Sequence, residues 1–262
     1  MKIEAIVTTM HQTGIDKYNE MHLTTDAIIA NQTNKNLFED FVVDDKKVRL
    51  VSTATRGTGK NRNFGFLFAQ ADIIHFADDD MIFEEGYEQT VLDYFEKYPD
   101  AEALIFNIIS LNQNRQIMQH GRERRIKFKH VKRNGICGMF FKADVLSKFN
   151  LWSSIYFGPG AVHSSGEDSM LLKDFLDAKR VVYIIPVLVA KVKQEESSWL
   201  EGFNEKFFID RGALLAALYG RNAKLISLYH TFKYRGRYKE YGWRNAYNTM
   251  KRGIKIFRKG KA

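Results

Sequence analysis

The stretch DIIHFADDD, residues 72–80, decides the fold. An apolar run of strand length, Ile73 to Ala77, ends abruptly in three carboxylates, Asp78, Asp79 and Asp80. A short apolar run bounded by polar residues reads as a strand buried on both faces, as in a parallel sheet. In open α/β sheets, ligands gather beyond the carboxyl ends of the strands, where this triplet stands. Three adjacent carboxylates repel one another unless positive charge lies among them. A divalent cation with oxygen ligands, shared with substrate phosphates, meets that need. A solvated acidic turn is the plainer alternative.

Similar strand ends occur elsewhere in the chain. Residues 3–9, IEAIVTT, read as a first strand ending in Thr8-Thr9-Met10. A helix is expected around 15–25, and a second short apolar run, 26–30, ends at Asn31-Gln32. Residues 47–52 read as a third strand, 135–149 as a short strand and helix, and 181–192 as a late strand. Strand and helix alternate with short connections, so the expected class is α/β with a parallel sheet. The polar clusters at Thr8-Thr9, Asn31-Gln32 and Asp78–Asp80 then converge on one rim. The run 115–133 holds eight Lys or Arg and one Glu, and reads as a solvated loop.

The segment TRGTGKNRN, residues 55–63, imitates a phosphate-binding loop but fails its pattern. Aligned on Gly59-Lys60, the first required glycine is Ala54 and the required Ser/Thr is Asn61. A turn leading into a helix fits better, with Phe64, Leu67, Phe68 and Ala71 spaced as one helical face.

The chain of 262 residues suits one globular domain with an appendage. A single cysteine, Cys137, excludes an internal disulfide and favours a reducing compartment. The opening MKIEAIVTTM does not read as a secretion signal, and no run approaches the ~18 apolar residues of a membrane span. A cytoplasmic location is expected. The net charge of +9 is uneven: residues 224–262 hold twelve Lys or Arg against one acid, Glu240.

Three motifs in order carry a resemblance. R-G-T-G-K-N-R-N-F-G at 56–65, F-A-D-D-D-M at 76–81 and S-G-E-D-S-M-L-L at 165–172 resemble the signature of family 2 glycosyltransferases of the nucleotide-diphospho-sugar (GT-A) fold. The likeness covers roughly residues 3–200. It implies a Rossmann-like, mostly parallel sheet flanked by helices, here a GT-A catalytic domain over 1–205 with a helical basic extension over 206–262. It also implies sugar transfer from a nucleotide-sugar, with UDP expected, to a saccharide or lipid-linked acceptor hydroxyl, with inversion, in bacterial surface polysaccharide or glycolipid synthesis.

By that resemblance, Asp80 and Asp78 hold a divalent cation, Mn2+ or Mg2+, and Asp78 also faces the donor ribose. Asp79 fills the variable place of the triplet. Arg62, Asn63 and Lys60 line the nucleotide, as do Thr8, Thr9 and Met10, although the family's proline before the threonine is missing here. Asn31 and Gln32 stand where relatives offer an acid to the base or ribose. In Glu167-Asp168, Asp168 is the expected general base and Glu167 its partner. A carboxylate ionised at neutral pH suits that task. The pair also suits a plain helix start, with acids at its positive end. His163 is a rival base and His75 a structural residue. Relatives carry a His after the last strand; here Lys193 and Gln194 occupy that place, and Lys193 suits a diphosphate.

The final helix places Trp243, Ala246, Tyr247, Met250, Ile254 and Phe257 within an arc of roughly 100°. Cations line one flank. The helix either lies on an anionic membrane surface, on the inner face of the cell membrane, or packs on the catalytic domain. A sugar nucleotidyltransferase would need a Gly-rich loop after the first strand, where His11-Gln12-Thr13-Gly14 stands instead. An RNA-binding reading of the basic aromatic tail leaves the acidic motifs unexplained, so no nucleic acid partner is expected.

Overall fold

The computed structural model describes residues 1–126, 135–194 and 202–260. The basic residues 127–133 of the expected loop lie outside the described residues. Strands β1 (Ile3–Met10), β2 (Asp26–Gln32), β4 (Lys46–Thr53) and β5 (Ile73–Asp78) run parallel, with β3 (Leu37–Val43) folded back on β4 at the edge. The sheet continues through β9 (Met139–Lys142), β7 (Ala103–Ser110), β10 (Val182–Val192) and β6 (Met81–Phe83). The pair β7–β10 is parallel, and β9 runs antiparallel between β5 and β7. A two-residue strand β8, Arg124–Arg125, pairs with Tyr183 and Ile184 of β10, so this part of the expected solvated loop is a sheet edge.

Helices α1 (Asp16–Glu20), α2 (Thr58–Leu67), α3 (Tyr87–Lys97), α4 (Ala143–Lys148) and α5 (Glu167–Asp177) flank this sheet. One apolar layer centres on Val7, Ile29, Leu104 and Val189, under α3. The other centres on Ile6, Ile28, Phe141 and Phe175, under α2 and α5. Alternate residues of β1 feed the two layers, which is the period-two geometry of a strand covered on both faces.

Register settles what shares the rim. Thr8 pairs with Asp78, Thr9 with Asn31, and Met10 with Gln32, while Asn31 and Gln32 pair with Ser52 and Thr53 of β4. The strand-end clusters therefore lie side by side.

One expectation changes. The helix of the 55–63 region starts at Thr58, so Gly59, Lys60, Asn61, Arg62 and Asn63 lie inside it. Its inward face is Gly59, Asn61, Arg62, Gly65 and Phe66, whereas Leu67 is 65% exposed. The apolar spacing pointed to the wrong face because buried polar groups with partners, and glycines permitting close approach, occupy the right one. The sheet is mostly parallel as expected, with β3, β6 and β8 antiparallel at its edges and β9 antiparallel inside it.

Helices α6 (Glu205–Tyr219), α7 (Ala223–Lys233) and α8 (Trp243–Arg258) follow. Ala213, Leu214 and Leu218 of α6 join the apolar layer under α5. Ala246, Met250 and Ile254 of α8 are buried in a cluster with Phe208 and Leu215 of α6. For α8 the packing alternative thus describes the apolar face. Its backbone meets that of α6 directly: a Cβ on Gly253 would stand 2.1 Å from the Ile209 carbonyl oxygen, and one on Gly212 2.2 Å from that of Met250. Backbone atoms cannot swing aside as a side chain does. Gly253→Ala should therefore separate the helices and cost about 2 kcal/mol or more, read as a lower midpoint in urea unfolding.

Candidate active site

The guanidinium of Arg62 sits 2% exposed in the middle of the acidic residues. Its Nη2 donates to Asp78 Oδ1 at 2.9 Å, and its Nη1 donates to Asp168 Oδ1 at 3.1 Å. Glu167 Oε1 lies 3.9 Å from the same Nη1. Burial works to neutralise the arginine, but Asp78, Asp168 and Glu167 outweigh it and keep it charged. The motif at the end of β5 and the motif opening α5 thus meet at one cation, although 106 residues separate Arg62 from Asp168.

Asp78 is saturated. Beyond Arg62 it accepts from Thr8 Oγ1 at 3.1 Å and from the Cys137 thiol at 3.0 Å. Burial would raise its pKa, yet Arg62, Cys137 and Thr8 together hold it below the usual carboxylate range. Asp79 accepts from Thr9 Oγ1. Asp80 differs: a main-chain donor reaches its Oδ2, Gln194 N–H at 3.2 Å, and no cation pairs with it among the described ion pairs. Burial first, then the charges of Asp78 and Asp79, push its pKa up.

Lys193 N–H donates to the Asp80 carbonyl at 3.0 Å, which brings the end of β10 against the triplet. The Lys193 side chain is exposed. The Gln194 carboxamide oxygen instead accepts from Ser110 Oγ at 3.0 Å.

Arg62 apart, the expected nucleotide residues divide into tethered and open groups. Asn31 donates to Gln12 O and Ser52 Oγ and accepts from Gln12 N–H. Gln32 Oε1 accepts from Gly57 N–H at 2.7 Å. Asn63 exchanges two hydrogen bonds with the backbone of Ser153, both at 2.9 Å. Lys60 and Met10 are exposed at the rim, whereas Thr8 and Thr9 are buried with their hydroxyls directed to the triplet.

What the Gly-rich stretch does is visible here. Thr58 N–H donates to Pro159 O at 3.0 Å, and a Cβ on Gly59 would stand 2.0 Å from the Ser154 carbonyl oxygen. With the Asn63 bonds, α2 is strapped backbone to backbone onto residues 153–160, the loop leading to Glu167-Asp168. The loop's other side is held by Asp210 of α6, which accepts from His163 Nδ1 at 3.0 Å, from Ser164 N–H and Oγ, and from Lys206. Those bonds overcome burial and hold Asp210 at about 2. His163 is stacked on Phe157 and bound to Asp210. His75 lies inside β5, stacked on Phe140 at 4.2 Å, with Nε2–H donating to Cys137 O; burial lowers its pKa to about 4.

Glu167 is pushed up to about 7, by burial first and by the Asp168 charge second. Asp168 is raised by burial and by Asp78, against the pull of Arg62. Three carboxylates surround one buried guanidinium, and Asp79 and Asp80 follow Asp78 in the chain, a surplus of acids that favours a bound cation.

The sequence profile described as Glycosyl transferase family 2 matches residues 25–148. Over those residues the chain is similar to glycosyl transferase family 2. The transferase match includes Asn31, Gln32, Arg62, Asn63 and the triplet, and stops before Glu167-Asp168. No curated protein matches the sequence. Among solved structures, TarS 1–349 of S. aureus in complex with UDP-GlcNAc superposes with a TM-score of 0.64 at 9% identity, covering 100% of this chain and 93% of that one. The same protein in complex with UDP gives 0.61 at 11% identity, with 100% and 92% covered. A longer TarS chain gives 0.62 at 11% identity, covering 96% of this chain and 55% of that one. These likenesses establish a shared GT-A fold, a mostly parallel central sheet flanked by helices.

Two outcomes follow from the buried charges. Arg62→Met leaves Asp78 and Asp168 without their cation and should cost about 3–5 kcal/mol in urea unfolding. The folded protein holds the Glu167 proton to higher pH than the unfolded chain does. That contribution is fully present below the ordinary carboxyl pKa and lost as pH rises through about 7. In EDTA, the thermal midpoint should therefore carry a falling component between about pH 5 and pH 8, which Glu167→Gln removes.

Proposed function

We propose that the protein transfers a sugar from a nucleoside diphosphate sugar, with UDP as the nucleotide, to an acceptor hydroxyl with inversion at the anomeric carbon. The observation that carries this reading is the Arg62 bridge. It sets a carboxylate on the α5 side, Asp168, within one ion pair of the triplet on the β5 side. A donor diphosphate at the triplet and an acceptor at Asp168 would then lie on neighbouring sides of one cluster.

In this reading Asp168 takes the proton of the acceptor hydroxyl. The acceptor oxygen forms its bond to the anomeric carbon as the bond from that carbon to the diphosphate oxygen breaks, and the nucleoside diphosphate leaves. Arg62 opposes the effect of burial on Asp168, and it sustains the negative charge of Asp78. Asp80 fits a hard divalent cation, because its carboxylate lacks a positive partner among the described ion pairs and its charge is disfavoured by its neighbours. No ready cage of three or more protein ligands exists among the described residues. A cation here would be held by Asp80, with Asp78 beside it, and would fill its shell from diphosphate and water oxygens. Bound Mn2+ or Mg2+ would neutralise charge gathering on the leaving diphosphate. Lys193 and Lys60, exposed on the same rim, suit the same anion. An acceptor in polysaccharide or glycolipid synthesis accords with this chemistry.

Asp168→Asn should lower transfer about 10²–10⁴-fold, while the thermal shift produced by UDP with Mn2+ is retained. Near-normal transfer by this variant would remove Asp168 from the role. Release of pyrophosphate in place of a nucleoside diphosphate would mean a nucleotidyltransferase.

A further inference from the structure

Helix α7 is built inside out. Its inward face carries Ala223, Ser227 and Thr231, each fully buried. Its outward face carries Leu225, Leu228, Tyr229 and Phe232, exposed by 68, 40, 61 and 56%. At about 100° per residue, these four fall within an arc of roughly 100°, nearly opposite the small residues. Scattered apolar residues on a surface need no explanation, but a continuous stripe of four large ones does.

The flanks of the stripe are cationic, and the cations touch it. Arg235 Cζ lies 4.4 Å from the centre of the Phe232 ring, and Lys233 Nζ 5.8 Å from that of Tyr229. Beside α7, a groove of about 550 Å³ against α8 is lined by Lys224, Lys251, Lys255 and Lys259. Arg252, paired with Glu205 at 2.6 Å, and Arg258, bonded to Gly220 O, are engaged elsewhere, and Lys251 Nζ lies 4.7 Å from the centre of the Tyr247 ring. A second copy of this chain is poorly matched to such a face. A two-fold contact would set a segment of twelve Lys or Arg and one Glu against itself. A soluble polyanion would satisfy the groove and leave the apolar stripe in water. An anionic bilayer satisfies both: side chains such as Leu and Phe enter the acyl boundary, tyrosine sits at headgroup level, and lysines meet lipid phosphates.

We propose that the outer face of α7, with the basic groove beside it, docks the protein flat on an anionic lipid surface. The attachment is peripheral, since no described helix is long and apolar enough to cross a membrane. It differs from the sequence-based expectation in its element: the apolar face of α8 is used up inside the protein, and α7 presents the lipid-facing one. The proposal is independent of what the catalytic cluster does.

Flotation of the full chain with phosphatidylcholine vesicles, with and without phosphatidylglycerol, tests it at ~0.1 M salt. The wild type should float only with the anionic vesicles. The triple variant Leu225→Ser, Leu228→Ser, Phe232→Ser should lose about 100-fold in partitioning with its thermal midpoint unchanged, because the residues are already exposed. Lys251→Ala with Lys255→Ala should lose about tenfold. Wild type that stays with the unbound fraction overturns the proposal. So does a triple variant that floats as well as the wild type, which would indicate a charge-only polyanion groove. A triple variant whose main change is loss of a dimer in light scattering would assign the stripe to a second copy and overturn it equally.

Discussion

The guanidinium of Arg62 is the constraint from which the rest of the site follows. A cation with 2% exposure is tolerated only where opposite charge surrounds it, and three carboxylates supply that charge from two distant segments. Each carboxylate in turn is tolerated in its half-buried place because the arginine is there. Removing either side leaves the other uncompensated. The end of β5 and the start of α5 are therefore not positioned independently. They are two ends of one electrostatic arrangement, and α2 exists in its observed pose to deliver the middle of it.

The packing of α2 agrees with that task. A helix that buries Gly59, Asn61, Arg62 and Gly65 contributes little apolar surface, with Phe66 the exception. Its stability comes from satisfied polar groups: Asn61 donates to Ala30 O, and Asn63 clasps the Ser153 backbone. The glycine that suggests a phosphate loop serves a different end. At Gly59 it admits a neighbouring carbonyl where any side chain would collide.

Much of the frame was legible in the sequence. The strands ending at Met10, Gln32 and Asp78 were marked by apolar runs that stop at polar clusters, and register brings those clusters together. The order of the three motifs indicated a family 2 fold. Other elements were not legible for physical reasons. The β3–β4 hairpin turns on Asp44 and Asp45, both with positive φ, a signal as local as Asn-Gly but easily read as surface charge. Strand β7, ALIFNIIS, and helix α3 lie in a stretch where no site motif drew notice, although a continuous apolar run is what a central strand requires. The face of α2 was misread because hydrophobic spacing finds apolar cores, and this helix buries a polar one. That Arg62 joins Asp78 to Asp168 was beyond sequence reading, since pairing across 106 residues leaves no local trace. The same holds for α7, whose exposed stripe becomes conspicuous only when its inward face is seen to be Ala223, Ser227 and Thr231.

Asp210 bears on how such a chain diversifies. It lies on α6, past the segment that resembles other transferases, yet it fastens His163 and Ser164, the last turn before Glu167-Asp168. Ala213 and Leu214 of the same helix fill the layer beneath that turn. The C-terminal helices are thus not a module that evolution could trade freely against another chain's. A break between the loop and α6 would separate a carboxylate from the groups it fastens, so the loop keeps its shape only with α6 in place.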